Sequence, residues 1–139
     1  MKRNFFTMMV AAIVSLFALT SCVKEPAELI VGKWTVTTMS ISYGGISMDI
    51  NPSDVGMDLS YTFNADGTGY NTQIDAEVNE KSDFTYMVLT NGDKQILSIT
   101  VDGETENYEI LTLDENNLVI YSEHTEDGQT LKTKITFTR

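Results

Sequence analysis

One thiol and one imidazole limit the chemistry open to this chain: Cys22 is its only cysteine and His124 its only histidine. His124 stands with Glu123, Glu126 and Asp127 where a strand runs into a turn. A metal site needs several ligands on fixed geometry, so this group reads as a solvated loop. A serine triad would need a strained elbow such as Gly-x-Ser-x-Gly, and none occurs. Asp66-Gly67-Thr68-Gly69 lacks the alternating acids and closing Glu of a calcium loop. It reads as a turn with a glycine bulge. With 20 Asp and Glu in 139 residues, chance carboxylate pairs are expected and do not mark a glycosidase-like dyad. The chain is therefore expected to be no enzyme, with no catalytic residues, no metal and no cofactor.

Two chemistries remain, and each depends on position. The first belongs to Cys22. Lys2 and Arg3 precede an apolar run from Phe5 to Leu19, broken only by Thr7 and Ser15. As a helix, about 15 residues reach roughly 22 Å, short of a hydrocarbon core of roughly 30 Å. A basic start, a short apolar run and small residues at its end describe a secretory signal. Leu19-Thr20-Ser21-Cys22 resembles the lipobox of bacterial lipoproteins. That resemblance implies a diacylglycerol on the Cys22 sulfur, cleavage after Ser21 and acylation of the new amine. Several acyl chains hold a membrane stably where one does not, and a modified Cys22 is lost as an enzymatic nucleophile. The expected order is a signal peptide over 1–21, a lipidated tether over 22–29 and a single domain over 30–139. No Asp follows Cys22, and Val23-Lys24-Glu25 comes next. That favours the outer membrane of the cell envelope, on its periplasmic or its surface face.

Charge narrows the partners. The formal net charge is −11, and without Lys2 and Arg3 only 7 basic residues face the 20 acidic ones. No basic stripe exists to follow a phosphate backbone, so nucleic acid is excluded as a partner. The membrane is expected to be reached through the lipid on Cys22.

The second chemistry belongs to the aromatic rings Tyr61, Phe63, Tyr70, Phe84, Tyr86 and Tyr108. Converging on a hollow, they would take up an apolar or aromatic small molecule, with the hydroxyls orienting it; otherwise they fill a core. Short β-rich runs separated by turn residues carry them. The runs are Gly32–Ile41, Asp58–Asn64, Thr68–Asp75, Asp83–Thr90, Lys94–Val101, Glu104–Leu113, Leu118–His124 and Gln129–Thr138. Asn91-Gly92 reads as the centre of a type I′ hairpin. Short turns force antiparallel neighbours. About eight strands in sequence suit a small all-β up-and-down barrel, with a two-layer sandwich as the alternative.

Alternation assigns one face to Trp34, Val36, Leu59, Tyr61, Phe63, Tyr70, Ile74, Phe84, Tyr86, Val88, Ile96, Tyr108, Ile110, Leu118, Ile120, Leu131, Ile135 and Phe137. Met39, Ile41, Met87, Leu89, Leu97, Ile99, Leu111, Val119 and Tyr121 fall on the other. This exceeds what one small core needs, so some of the second face covers an end, lines a pocket or meets a partner. The loose stretch from Tyr43 to Met57, with Ile46, Met48 and Ile50, is the candidate protein-contact loop 43–57.

Gly32-Lys33-Trp34, the hairpin Tyr61-Thr62-Phe63-Asn64-Ala65-Asp66-Gly67-Thr68-Gly69, the run Tyr108 to Leu113 before Asn117-Leu118-Val119-Ile120, and the close on Thr136-Phe137-Thr138-Arg139 come in an order that resembles the bacterial lipocalin-like domain lipoproteins. The resemblance spans essentially the whole mature chain. It implies an eight-stranded calyx, with Gly32 allowing close packing, Trp34 plugging one end and Arg139 stacking on it. It implies no catalytic set and no single ligand. The function expected first is a small hydrophobic ligand held in the barrel. The alternatives are a structural or protein-interaction lipoprotein without a ligand, and an inhibitor whose acidic face blocks a basic partner.

Overall fold

The computed structural model describes residues 23–139, so the signal segment and Cys22 lie outside the described residues. A single helical turn, α1 (Pro26–Leu29), leads into nine strands. These are β1 (Gly32–Tyr43), β2 (Ile46–Ile50), β3 (Asp58–Phe63), β4 (Thr68–Ile74), β5 (Asn79–Asn91), β6 (Lys94–Val101), β7 (Glu104–Leu113), β8 (Asn117–Glu126) and β9 (Gln129–Thr138). A short 3₁₀ turn, Pro52–Val55, separates β2 from β3.

Every pairing is antiparallel. Strands β3 to β9 follow one another in space as in sequence, and β9 returns to pair with β1 from Thr35↔Thr138 to Tyr43↔Leu131. Eight strands, β1 and β3–β9, thus close into the up-and-down barrel that the turn spacing predicts, and closure excludes a sandwich. Strand β2 is the unpredicted ninth. It folds back on the far half of β1, Met39↔Ile50 to Tyr43↔Ile46, while β3 pairs with the near half, Gly32↔Phe63 to Thr35↔Ser60. The stretch expected as a loose loop is therefore a hairpin. Its apolar residues share the face of Met39, Ile41 and Tyr43 yet remain open to solvent: Ile46 is 75% exposed and Met48 57%.

The tight turn after β5 is offset by one residue from its expected place. Asn91 pairs with Lys94, so Gly92 and Asp93 are the central residues, and Gly92 alone of the two takes a positive φ. Elsewhere aspartate carboxylates hold the turns, as Asx geometry allows. Asp66 accepts from the backbone N–H and hydroxyl of Thr68, and Asp114 from the N–H groups of Asn116 and Asn117. In both cases these hydrogen bonds hold the carboxyl below its ordinary pKa.

Two bulges decide which residues face inward. On β1 the register shifts between Val36 and Thr38, so Val36 pairs with Phe137 and Met39 with Ile135. An extra residue reverses the alternation beyond it. Met39 and Ile41, expected on the second face, therefore share the inner face with Trp34 and Val36. On β7 a similar shift between Ile110 and Thr112 leaves Leu111 out of register and 49% exposed.

The buried cluster is Ile30, Trp34, Val36, Phe63, Phe84, Leu97, Ile99, Leu118, Ile120, Ile135 and Phe137. It is concentrated towards the barrel end where β1 begins. There α1 leads into β1 yet also touches β5, so it crosses the opening. Trp34 is fully buried beneath it and donates its Nε1–H to the Ile30 carbonyl at 2.8 Å. The Arg139 guanidinium stacks 4.2 Å from the Trp34 ring, as the resemblance implies. It also donates to the carbonyls of Leu29, Val31 and Glu115. Gly32 leaves room for this: a Cβ there would stand 3.0 Å from the Arg139 Nη1. Among the described residues the nine strands share one buried cluster, so the segment 23–139 carries a hydrophobic core of its own, as an independently folding domain requires.

Candidate functional site

The end opposite Trp34 is open, and the strand parity determines its lining. Phe63 pairs with Gly69, Tyr61 with Asn71 and Gly69 with Phe84. Cross-strand partners share a face, so Asn71 points inward with Tyr61 and Phe84. Tyr70, expected on the inner face, is on the outer wall. It pairs with Thr62 and Asp83, and Lys81 Nζ lies 4.3 Å from its ring centroid. Ile74 also faces outward and is 45% exposed. On β6 the expected faces are reversed: Tyr86 pairs with Ile99 and Val88 with Leu97. Leu97 and Ile99 are buried inside, while Ile96 is outside.

Of the six rings, the barrel brings Tyr61, Phe84 and Tyr108 around its open end. Two contiguous hollows share Tyr61, Glu104, Glu106 and Tyr108. The smaller, about 320 Å³, is also bounded by Asn71, Phe84 and Ile99. The larger, about 900 Å³, opens between β1, β7, β8 and β9, with Met39, Ser122, His124, Leu131 and Ile135 in its wall. Each falls in the size range of small-molecule sites.

The other two inward rings form the packed layer beneath this cup. Phe63 is 1% exposed, 5.4 Å from Phe84 and 4.9 Å edge-on to Tyr86. Tyr86 donates its hydroxyl to the Asn64 carbonyl at 2.6 Å, and burial raises its pKa. Tyr61 bridges the layers, 5.5 Å edge-on to Phe137 and 6.0 Å from Phe84. Its ring is therefore braced from below while its edge meets the hollow.

Two residues the alternation did not single out, Glu104 and Glu106, complete the wall beside Tyr108. Glu104, Glu106 and Tyr108 alternate on β7 and pair with Val101, Ile99 and Leu97. Since Leu97 and Ile99 are inside, all three point into the barrel. The Tyr108 hydroxyl donates to Glu106. Burial first, and that hydrogen bond second, push its pKa well above that of ordinary tyrosine, so it stays a neutral donor. The signal for both acids was present in the run itself: counting back in twos from Tyr108 reaches them. Their charge made them look like surface residues.

His124 pairs with Leu131, and the larger hollow reaches it. Among the described residues no group of three or more His, Cys, Asp and Glu is arranged to hold a metal ion. No helix among the described residues is long and apolar enough to cross a membrane.

Comparison with known proteins bears on this geometry. The model of the lipocalin-like domain family matches residues 30–120. No curated protein matches the sequence. Among solved structures, the barrel is similar to that of the siderocalin Ex-FABP, described as functioning through dual ligand specificities. The TM-score is 0.52 at 16% identity, over 80% of this chain and 74% of that one. At that identity the likeness is one of fold.

Proposed function

The chain belongs to the lipocalin-like domain family, and from that membership we propose that it is a binding protein which holds a small, largely apolar ligand in the open end of its barrel. The carrying observation is the cup itself. The inward residues of a closed eight-stranded barrel can pack solid, but here they leave two joined hollows walled by Tyr61, Phe84, Tyr108 and Ile99. The site works by binding rather than catalysis: apolar walls supply affinity and a few polar groups fix orientation.

The neutral fluorescent probe N-phenyl-1-naphthylamine tests this on the domain 23–139. The probe is expected to bind with saturable enhancement, and Tyr61→Ala to weaken it about tenfold, a typical loss for an aromatic wall residue. Met87→Ala, on the outer wall and 57% exposed, serves as the control and keeps full affinity. Equal losses in both variants, or no saturable binding, would remove the proposal.

The domain is proposed to act at the cell envelope, tethered to the outer membrane through acylated Cys22. The lipobox-like Leu19-Thr20-Ser21-Cys22 supports this. Cys22→Ser is expected to abolish incorporation of labelled fatty acid and to move the protein out of the acylated membrane fraction. Acylation that survives the substitution refutes the anchor.

A second reading keeps a specific observation behind it. The β1–β2 hairpin is ordered yet leaves Tyr43, Ile46 and Met48 more than half exposed. Such a projection suits a protein contact beside the cup mouth.

A further inference from the structure

We propose that the ligand of this cup carries a positive charge: an amphipathic amine with an aromatic or apolar body. The inference rests on the binding reading above and names the ligand class of that same site.

Carboxylates on a surface mark nothing by themselves in a chain with 20 of them. Glu104 and Glu106 are exposed too, but they differ in which side of the wall they stand on. Both point into the barrel from β7, and both border the smaller and the larger hollow. Asp102 adds a third carboxylate at the rim of the smaller hollow. Neither hollow has a Lys or Arg in its lining. Among the described residues neither glutamate is in an ion pair; Lys94, at the other end of β6, goes to Glu109 on the outer face.

The neutral residues of the wall point to the same ligand. Tyr61, Phe84 and Tyr108 surround the smaller hollow, and the face of an aromatic ring attracts a cation. Tyr108 donates its one hydroxyl proton to Glu106. That fixes the carboxylate against the wall and leaves its other oxygen for a second donor. An ammonium group brings up to three donors and no acceptor. A carboxylate or phosphate ligand would meet uncompensated negative charge, which costs more as water is excluded. The cup thus selects by sign as well as by size.

Three probes with one ring system separate these properties: 1-naphthylmethylamine, 1-naphthylmethanol and 1-naphthoate, titrated calorimetrically into the domain 23–139. The amine is expected to bind about tenfold tighter than the alcohol, the naphthoate weakest, and the amine's advantage to shrink with added salt. In Glu104→Gln/Glu106→Gln, with an unchanged circular dichroism spectrum, the amine-to-alcohol ratio should fall to about one. Equal affinities of amine and alcohol for the unsubstituted domain overturn the charge preference and leave the binding cup standing. So does an unchanged ratio in the double variant. Tightest binding by naphthoate overturns the charge preference and reverses its sign. No binding by any of the three removes both proposals.

Discussion

Replacing Trp34 by alanine is expected to destabilise the domain by about 3–5 kcal/mol, the usual cost of emptying a buried tryptophan site. Folded domains hold only about 5–15 kcal/mol in total, so this is a large share. The number rests on three losses at one end of the barrel. The indole is fully buried, so its removal leaves a cavity between α1 and the Phe63 layer. The Ile30 carbonyl, itself on a fully buried residue, loses its Nε1 donor, and a buried acceptor left without a partner costs about 1–3 kcal/mol. Arg139 loses the ring it stacks on. Urea unfolding followed by circular dichroism measures the effect as a shift in midpoint at unchanged slope.

Arg139→Ala should cost less, because its contacts with the Leu29, Val31 and Glu115 carbonyls are at an exposed position. The double variant should fall short of the sum, since the two side chains share one contact and neighbouring sites are not additive. A Trp34→Ala protein within about 1 kcal/mol of the original would show that α1 and Arg139 close the barrel without the indole.

Gly69→Ala is expected to cost about 3 kcal/mol, at the upper end of what overpacking a core does. The backbone at Gly69 is not left-handed, so the reason is space. A Cβ there would stand 2.5 Å from the Thr62 carbonyl oxygen of β3 and would run into the Phe84 ring. The ring can swing on its χ angles, but the carbonyl is held in the β3–β4 ladder. Phe84 covers the glycine as aromatic side chains often cover bare positions in sheets. Gly69→Ala/Phe84→Leu separates the two obstacles: relief of the ring alone should recover part of the loss and leave the carbonyl part. The same shift should loosen the floor of the cup, because Phe84 bounds the smaller hollow. Thermal unfolding of Gly69→Ala should drop by roughly 10 °C. A midpoint unchanged within error would mean that β3 and β4 separate at this point at no cost.

How much of the cup was legible follows strand by strand. Tyr61, Phe84 and Tyr108 alternate with polar neighbours and sit inside as read. Tyr70 does not, because the inward positions of β4 are Gly69, Asn71 and Gln73. None of these is apolar, so the true inner face of the strand carried no hydrophobic signal. Ile96 misled in a different way. Any two-residue turn between β5 and β6 pairs even positions with odd ones, so an inward Tyr86 and Val88 require an inward Leu97 and Ile99. Pairing contained the answer where apolarity alone did not. Met39 and Ile41 needed the β1 bulge, and one inserted residue leaves no mark in composition.

The sequence alone determined that the chain past residue 30 is a meander of antiparallel strands, because period-two alternation and glycine- and aspartate-marked turns are local properties. It also determined the acidic balance and the lipobox-like stretch before Cys22. Only the tertiary structure decided that β9 meets β1 and so makes a barrel, and that Arg139 folds over Trp34 to close one end. It also decided that Glu104 and Glu106 stand on the inner side of β7, at the border of the open hollows. Those outcomes depend on contacts between residues far apart in the chain, on bulges that invert a face and on which positions lack a side chain, and none of these is written in the local pattern.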